Sequence, residues 1–342
     1  MAKPAMTMPQ DDGKDRITLA HGNGGRFMRE LIEEVIAPPL AGLDLSVDAA
    51  ALALEGELLV TTDGFTVQPL EFPGGDIGRL AVHGTVNDLA VAGAEPRALT
   101  LGMMIEEGMD VETLRRLMAG LAEAAQESGV RVLAGDTKVV PRGHGGGLYL
   151  TTTGVGVRRS KTRPELARVK PGSVLLVSGP VGDHGIAVML AREEFDLHGD
   201  ISSDCASVLP LTAALWEEED VLFLRDPTRG GLATVAHEIA HAAGAQVRLL
   251  EAQVPVRETV TGVCEILGYD PYYLACEGRV VAVTAPEAAE RVLEAWRALP
   301  QGREAAIIGR VEEGRPRVVC ETEIGGERMI EELEDDPLPR IC

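Results

Sequence analysis

The chain ends in EDDPLPRIC, so its last residue, Cys342, carries the strongest nucleophile a protein has near neutral pH once the thiol is deprotonated. Aspartates recur in short polar contexts where apolar runs end: Asp48 in SVDAAA, Asp63 in TTDGF, Asp88 in TVNDLA, Asp136 in AGDTKV and Asp226 in LRDPTRGG. Such carboxylates suit Mg2+, which keeps several waters and bridges to phosphate oxygens; each one alone also reads as a cap or turn residue. Lys138 in GDTK offers a cation for a phosphate or a carrier for a proton, and Glu277 in ACEG offers a base beside a glycine. The glycine-rich run His21, Gly22, Asn23, Gly24, Gly25 precedes a helical pattern and can present backbone N–H groups to phosphate. No GxxxxGK[ST] run occurs, so a nucleotide would be held by another kind of fold.

A different chemistry is written in HEIAH, residues 237–241, where His237 and His241 stand one helical turn apart as in zinc proteases, with Glu238 in the place of a general base. The third histidine of the extended motif is missing, because Val247 occupies its place, and Glu265 is the distant alternative. Leu232, Val235, Ala236, Ile239, Ala240 and Ala243 supply the apolar stripe of this helix, so the histidines read as residues of the intervening surface.

A formal charge of −22 argues against nucleic acid or an anionic membrane as partner, since phosphate surfaces are met by basic excess. The cysteines at 205, 264, 276, 320 and 342 form no CxxC pair and favour neither a disulfide framework nor a cysteine zinc site. The first 16 residues lack the apolar stretch of a signal peptide and no later run is long enough to span a bilayer, so a cytoplasmic protein is expected.

The elements that must position these groups alternate unevenly. GELLVTTDGF reads as a strand ending at Asp63; residues 75–96 as a helix with His83 and Asn87 on one face and Asp88 on the next stripe; residues 110–128 as a helix between strands ALTLGMMI and VRVLAGD. After strand LYLTTTGVGV, the polar stretch 158–171 separates a second half with the same mixed alternation, in which SVLLVSG leads to the loop SGPVGDHG, the strand VLFLRD, and TRGG opening another helix. This pattern favours an α+β fold of two mixed α/β domains: an N-terminal segment 1–44 with the glycine-rich loop, a domain over 45–160, a second over 170–320, and a mobile tail over 321–342. Acidic residues keep the tail solvated, while Pro337 and Pro339 stiffen the approach to Cys342.

FPGGDIGRLAVHGTVNDLAVAGAEP, GDTKVV, RDPTRGG and the final PRIC together resemble the ATP-binding superfamily of aminoimidazole ribonucleotide synthetase, selenophosphate synthetase and thiamine-monophosphate kinase. Within it they are most similar to the carbamoyl dehydratases of hydrogenase maturation, the HypE family, from about residue 17 to the C-terminus. The resemblance implies a homodimer that binds ATP and Mg2+, the metal on Asp48, Asp88 and Asp226, the nucleotide near residues 21–25, Asp63, Asn87, Asp136 and Thr137. It implies catalysis by Lys138, Glu277 and Cys342: a carbamoyl group placed on Cys342 by the carbamoyltransferase HypF is dehydrated to a thiocyanate, and the cyanide passes to an iron scaffold of HypC and HypD. In one departure, Cys276 stands where the family carries the asparagine of Ala-Asn-Glu-Gly, removing an amide that could orient Glu277. Other readings are a selenophosphate-synthetase-like enzyme, weakened by the lack of a cysteine in the glycine loop, a zinc protease through HEIAH, and a non-enzymatic scaffold with a docking peptide at its end.

Overall fold

The computed structural model describes residues 15–47, 49–161, 163–192 and 199–334. Asp48 and Cys342, and with them the expected metal ligand and terminal nucleophile, lie outside the described residues.

The N-terminal half runs α1 (Arg26–Leu31), β1 (Leu58–Phe65), a ribbon of β2 (Glu71–Phe72) and β3 (Gly75–Asp76), α2 (Ile77–Val91), β4 (Ala94–Glu106), α3 (Val111–Glu127), β5 (Arg131–Val140) and β6 (Leu148–Arg158). The sheet has the order β1-β6-β4-β5, with β4 and β5 parallel and joined through α3, and its other neighbours antiparallel. Asp76 caps α2 by accepting the Gly78 and Arg79 N–H groups. Leu80, Val82, Val86 and Leu89 on α2 are almost wholly buried; each contributes about 1.5–3 kcal/mol of burial. One face of the sheet is closed by the helices. The other leaves Leu58, Val60 and Met104 exposed at 51%, 67% and 51%.

The C-terminal half contains β7 (Val174–Val177), α4 (Asp183–Ala191), α5 (Leu209–Ala213), β8 (Val221–Arg225), α6 (Gly231–Ala243), β9 (Gln246–Leu250), α7 (Glu258–Leu267), β10 (Val281–Thr284), α8 (Ala289–Arg297), β11 (Ala306–Glu312), β12 (Arg317–Glu321) and β13 (Glu327–Ile330). Its sheet has the order β13-β12-β9-β11-β7-β10-β8. Apolar clusters fill both faces, one around α6 and one around Trp296 of α8. The α+β reading with two mixed domains holds. No helix among the described residues is long and apolar enough to cross a membrane.

Three expectations need correction. The tail does not begin at residue 321: Glu321 closes β12, and Glu327–Ile330 pairs with it as β13, with Ile330 buried. A four-residue edge strand is held by backbone pairing and needs few apolar side chains, so its composition reads as unstructured. Asp63 and Asp136 are not strand ends either, because β1 continues to Phe65 and β5 to Val140. Finally, His237 is buried, its Nε2 2.9 Å from the Ile330 carbonyl oxygen, because β13 covers that side of α6.

Candidate functional site

At the seam between the halves, Asp63 and Phe65 of β1, Asp88 of α2, Asp226, Thr228 and Arg229 after β8, and Glu277 line one small cavity. Asp226 follows directly on β8, and the chain then turns through Gly230 and Gly231, both left-handed with φ of +71° and +56°, into the N-terminus of α6. A Cβ on Gly231 would stand 2.5 Å from the Leu274 carbonyl oxygen and 2.6 Å from that of Tyr272. The turn that brings Asp226, Thr228 and Arg229 to the cavity therefore requires glycine there.

The cavity concentrates negative charge where water is scarce. Asp88 accepts a 2.7 Å hydrogen bond from Thr61 Oγ1, yet its carboxyl is raised above the ordinary range by burial and by Asp63. Burial first, then the Asp88 charge, push Asp226 up to about 7, with Arg225 opposing. Burial, followed by Asp204, Asp226 and Asp63, holds Glu277 well above its usual value against the pull of Arg229. Its Oε1 is buried without a hydrogen-bond partner. Like charges packed this closely cannot all ionise unless a cation joins them, and oxygen ligands of this kind fit a hard divalent ion.

The same carboxylates set the stability of the protein free of metal and nucleotide. Unfolded Asp226 ionises near 3.8 and folded Asp226 near 7, so between those values the folded state holds the extra proton and stability falls as pH rises. Asp226→Asn is expected to remove that slope, leaving the variant more stable than the parent by about 1–4 kcal/mol at pH 8 and equally stable at pH 4, as calorimetry across pH would read.

Glu277 is fixed through its backbone. Its N–H donates to Asp204 Oδ1 at 3.0 Å and its carbonyl accepts from Asn87 Nδ2 at 3.2 Å. Asn87 Nδ2 also reaches the Ala206 carbonyl at 3.1 Å, and Asn87 Oδ1 accepts the Val208 N–H at 2.8 Å. The amide of Asn87, 1% exposed, is thus fully engaged in joining α2 to the two loops of the second half, so its sequence-expected nucleotide contact would have to come on top of this clamp. The companion His83 is also buried, its imidazole pushed down to about 4, mainly by burial. Cys276 turns into the C-terminal core, where its Sγ receives the Gly182 N–H at 3.2 Å. Because this thiol points away from the carboxylate and the backbone clamp does the orienting, the departure at residue 276 leaves Glu277 in place.

The remaining expected residues do not join this cavity within one chain. Asp63 lies opposite Thr152, Thr152 opposite Leu101 and Leu101 opposite Gly135, so Asp63 and Asp136 sit on opposite edges of the sheet, three strand spacings or about 14 Å apart. They also face opposite ways. Asp63 shares the helix side with Thr61, whereas Asp136 and Lys138 are exposed on the open face, paired at 2.7 Å, with buried Thr137 between them. His21 and Gly22 end a short 3-10 turn beside β5, with His21 Nδ1 accepting the Thr18 N–H at 3.0 Å, and Gly22 is packed so tightly on Val139 that a Cβ would lie 2.9 Å from the Val139 Cβ. Asn23, Gly24 and Gly25 then lead into α1. Sequence reasoning misses Asp204, Thr61 and Arg229. Arg229 lies inside the TRGG motif, while the other two carry no local signal.

Two mixed domains, a carboxylate cavity at their seam and a glycine turn at a helix start define an enzyme fold of the AIR synthase class, and the family descriptions agree: AIR synthase related protein, N-terminal domain, matches residues 46–158, and the C-terminal domain matches residues 170–321. The carbamoyl dehydratase HypE of Azotobacter vinelandii is 46% identical over 331 residues, covering 95% of this chain and 97% of that protein. A crystal structure of hydrogenase maturation protein HypE in complex with ATP superposes with a TM-score of 0.89 at 44% identity, over 95% of this chain and 99% of that one. A HypE–HypF complex contains a chain with a TM-score of 0.78 at 43% identity, over 89% of this chain and 99% of that one. The chain belongs to the HypE carbamoyl dehydratase family.

Proposed function

We propose that this protein is an ATP-dependent carbamoyl dehydratase that converts a thiocarboxamide on its own Cys342 to a thiocyanate, the source of the cyanide ligand of NiFe hydrogenase iron. The observation that carries this reading is the seam cavity, where Asp63, Asp88, Asp226 and Glu277 of two domains meet beside the N-terminus of α6. The relative solved with ATP supports the same nucleotide here.

In the net reaction the amide oxygen of the thiocarboxamide takes the γ-phosphoryl group of ATP, ADP leaves, and the carbon–oxygen bond then breaks. Phosphate departs, two nitrogen-bound protons are lost, and a carbon–nitrogen triple bond remains. Phosphorylation is needed because an amide oxygen is a poor leaving group. Asp88 and Asp226, with Asp48, would hold Mg2+, which when bound supplies positive charge to the phosphate oxygens. In the turn into α6 the Thr228 and Gly231 N–H groups donate to the Asp226 and Thr228 carbonyls at 3.0 and 2.9 Å, and the N–H groups of Arg229 and Gly230 are the ones that would serve phosphate. Glu277, buried and with a raised carboxyl, accepts a nitrogen-bound proton once the nucleotide site is filled. Lys138 supplies charge to the transferring phosphoryl group.

Lys138 lies on the wrong face and edge to serve the cavity of its own chain, which together with exposed Leu58, Val60 and Met104 supports a homodimer closed through the open sheets. A second copy set against the free edges would bring β5 of one copy beside β1 of the other. Val60→Asp is accordingly expected to give a monomer by light scattering and to lower turnover at least tenfold while each chain stays folded. A dimeric, active Val60→Asp protein would exclude this assembly.

We place the reaction in the cytoplasm, downstream of carbamoyl transfer by HypF and upstream of the HypC–HypD scaffold; the complex of a relative with HypF supports the first of these partners. Intact-mass measurement tests the reading. With the carbamoylating partner and ATP, Cys342 should gain one carbamoyl group and then lose one water. An unmodified terminus with an active partner, or a carbamoyl group that never dehydrates, would refute it.

A further inference from the structure

HEIAH belongs to none of this chemistry, yet the tertiary structure completes a ligand set around it. One nitrogen of His237, one of His241 and one carboxylate oxygen of Glu332 all lie within 4.8 Å of one another. We infer that these three residues form a site for a borderline divalent transition metal, zinc or nickel in chemistry, at the root of the segment that leads to Cys342.

Each part of the geometry favours a ligand. The histidines stand one turn apart on α6, with ring centroids 6.2 Å apart. His237 is buried and its ring is already oriented by the 2.9 Å contact of Nε2 with the Ile330 carbonyl, the backbone partner that metal-binding imidazoles usually have. A metal on Nδ1 would leave that bond in place, whereas one on Nε2 would displace the carbonyl. His241 and Glu332 meet at 3.4 Å with side chains 57% and 66% exposed, so both are free to draw in to the roughly 3.4 Å separation that tetrahedral zinc asks of its ligands. The third ligand is Glu332, from beyond β13, in place of Glu265, the distant alternative in the sequence.

Two imidazoles and one carboxylate select zinc-like ions over Mg2+, which sets this site apart from the all-oxygen seam cavity. Glu238, the base of the protease pattern, is turned to Arg225 at 3.6 Å. What a metal does here is mechanical: it ties Glu332 to α6, whose first turn borders the seam cavity, and Cys342 follows ten residues later. Occupancy therefore restrains the point from which the terminal segment departs. That restraint bears on catalysis only through the dehydratase reading, whereas the metal site stands without it.

The test is calorimetric titration of ZnCl2 into the full chain carrying Cys342→Ser, so that the terminal thiol is not a ligand. One zinc per chain is expected, unaffected by excess MgCl2, and His241→Ala or Glu332→Ala should each weaken binding at least tenfold. Both positions are exposed, so these variants keep the fold, which circular dichroism verifies. Zinc should also slow proteolysis of the terminal segment in the Cys342→Ser chain and not in its His241→Ala derivative. Absence of stoichiometric zinc, or binding indifferent to both substitutions, would overturn the site; bound zinc with unchanged proteolysis would overturn the restraint. None of these measurements uses ATP or the carbamoylating partner, so their failure is separate from failure of the proposed activity.

Discussion

Cys342→Ser is expected to abolish thiocyanate formation while leaving the folded chain and its ATP binding intact. A serine hydroxyl is almost wholly protonated at neutral pH and is a far weaker nucleophile than a thiolate, so the carbamoyl group has no acceptor at the end of the chain. The other thiols do not substitute. Cys264, Cys276 and Cys320 are buried, and Cys205 is held well above the usual thiol range by burial and then by the Glu277 charge. Mass analysis after incubation with the carbamoylating partner and ATP should find the variant unmodified, and ATP consumption that depends on carbamoylation should fall to background. Continued appearance of the dehydrated product on the variant would move the chemistry away from the terminus.

Glu277→Gln is expected to lower the rate of dehydration by about 10²–10⁴-fold, the usual worth of a positioned proton acceptor. The substitution preserves side-chain size, and the contacts that hold residue 277 run through its backbone to Asp204 and Asn87, so the loop stays in place. ATP should still bind, carbamoylated Cys342 should accumulate, and the block should lie after transfer of the carbamoyl group. The pH dependence separates a base from a structural residue. As the proposed base, Glu277 would have to lose its proton to act in the parent, and its raised carboxyl predicts that the rate climbs with pH through a range above that of an ordinary glutamate. The variant should lose this rising limb. A variant within a few-fold of the parent, with the limb unchanged, would remove Glu277 from proton transfer.

Asp88 and Asp226 are recognisable as a pair because each stands in a distinctive local run, TVNDLA and RDPTRGG, and the structure brings both to one cavity. Lys138 and Asp136 are equally conspicuous in GDTK, yet strand order and side-chain alternation set them on the far edge and the opposite face from Asp63. Asn87 stands out for its place one turn after His83; what it touches, the carbonyls of Ala206 and Glu277, lies 119 and 190 residues away. Composition makes the terminal segment too long because β13 is held by backbone pairing, which composition does not report.

Whatever a single element can carry is legible in the chain: the α+β alternation, the glycine turn of TRGG that a Cβ would block, the helical spacing of His237 and His241, and a motif set specific enough to mark the family. Spacing along a strand or helix fixes neighbours up to a turn away, and those relations survive any packing. Packing alone selects which carboxylates share a cavity, which face of the sheet holds Lys138, how residue 277 is clamped, and that Glu332 meets the two histidines. Such contacts join residues far apart in the chain, and they depend on strand order, register and the docking of one half on the other, none of which a local pattern encodes.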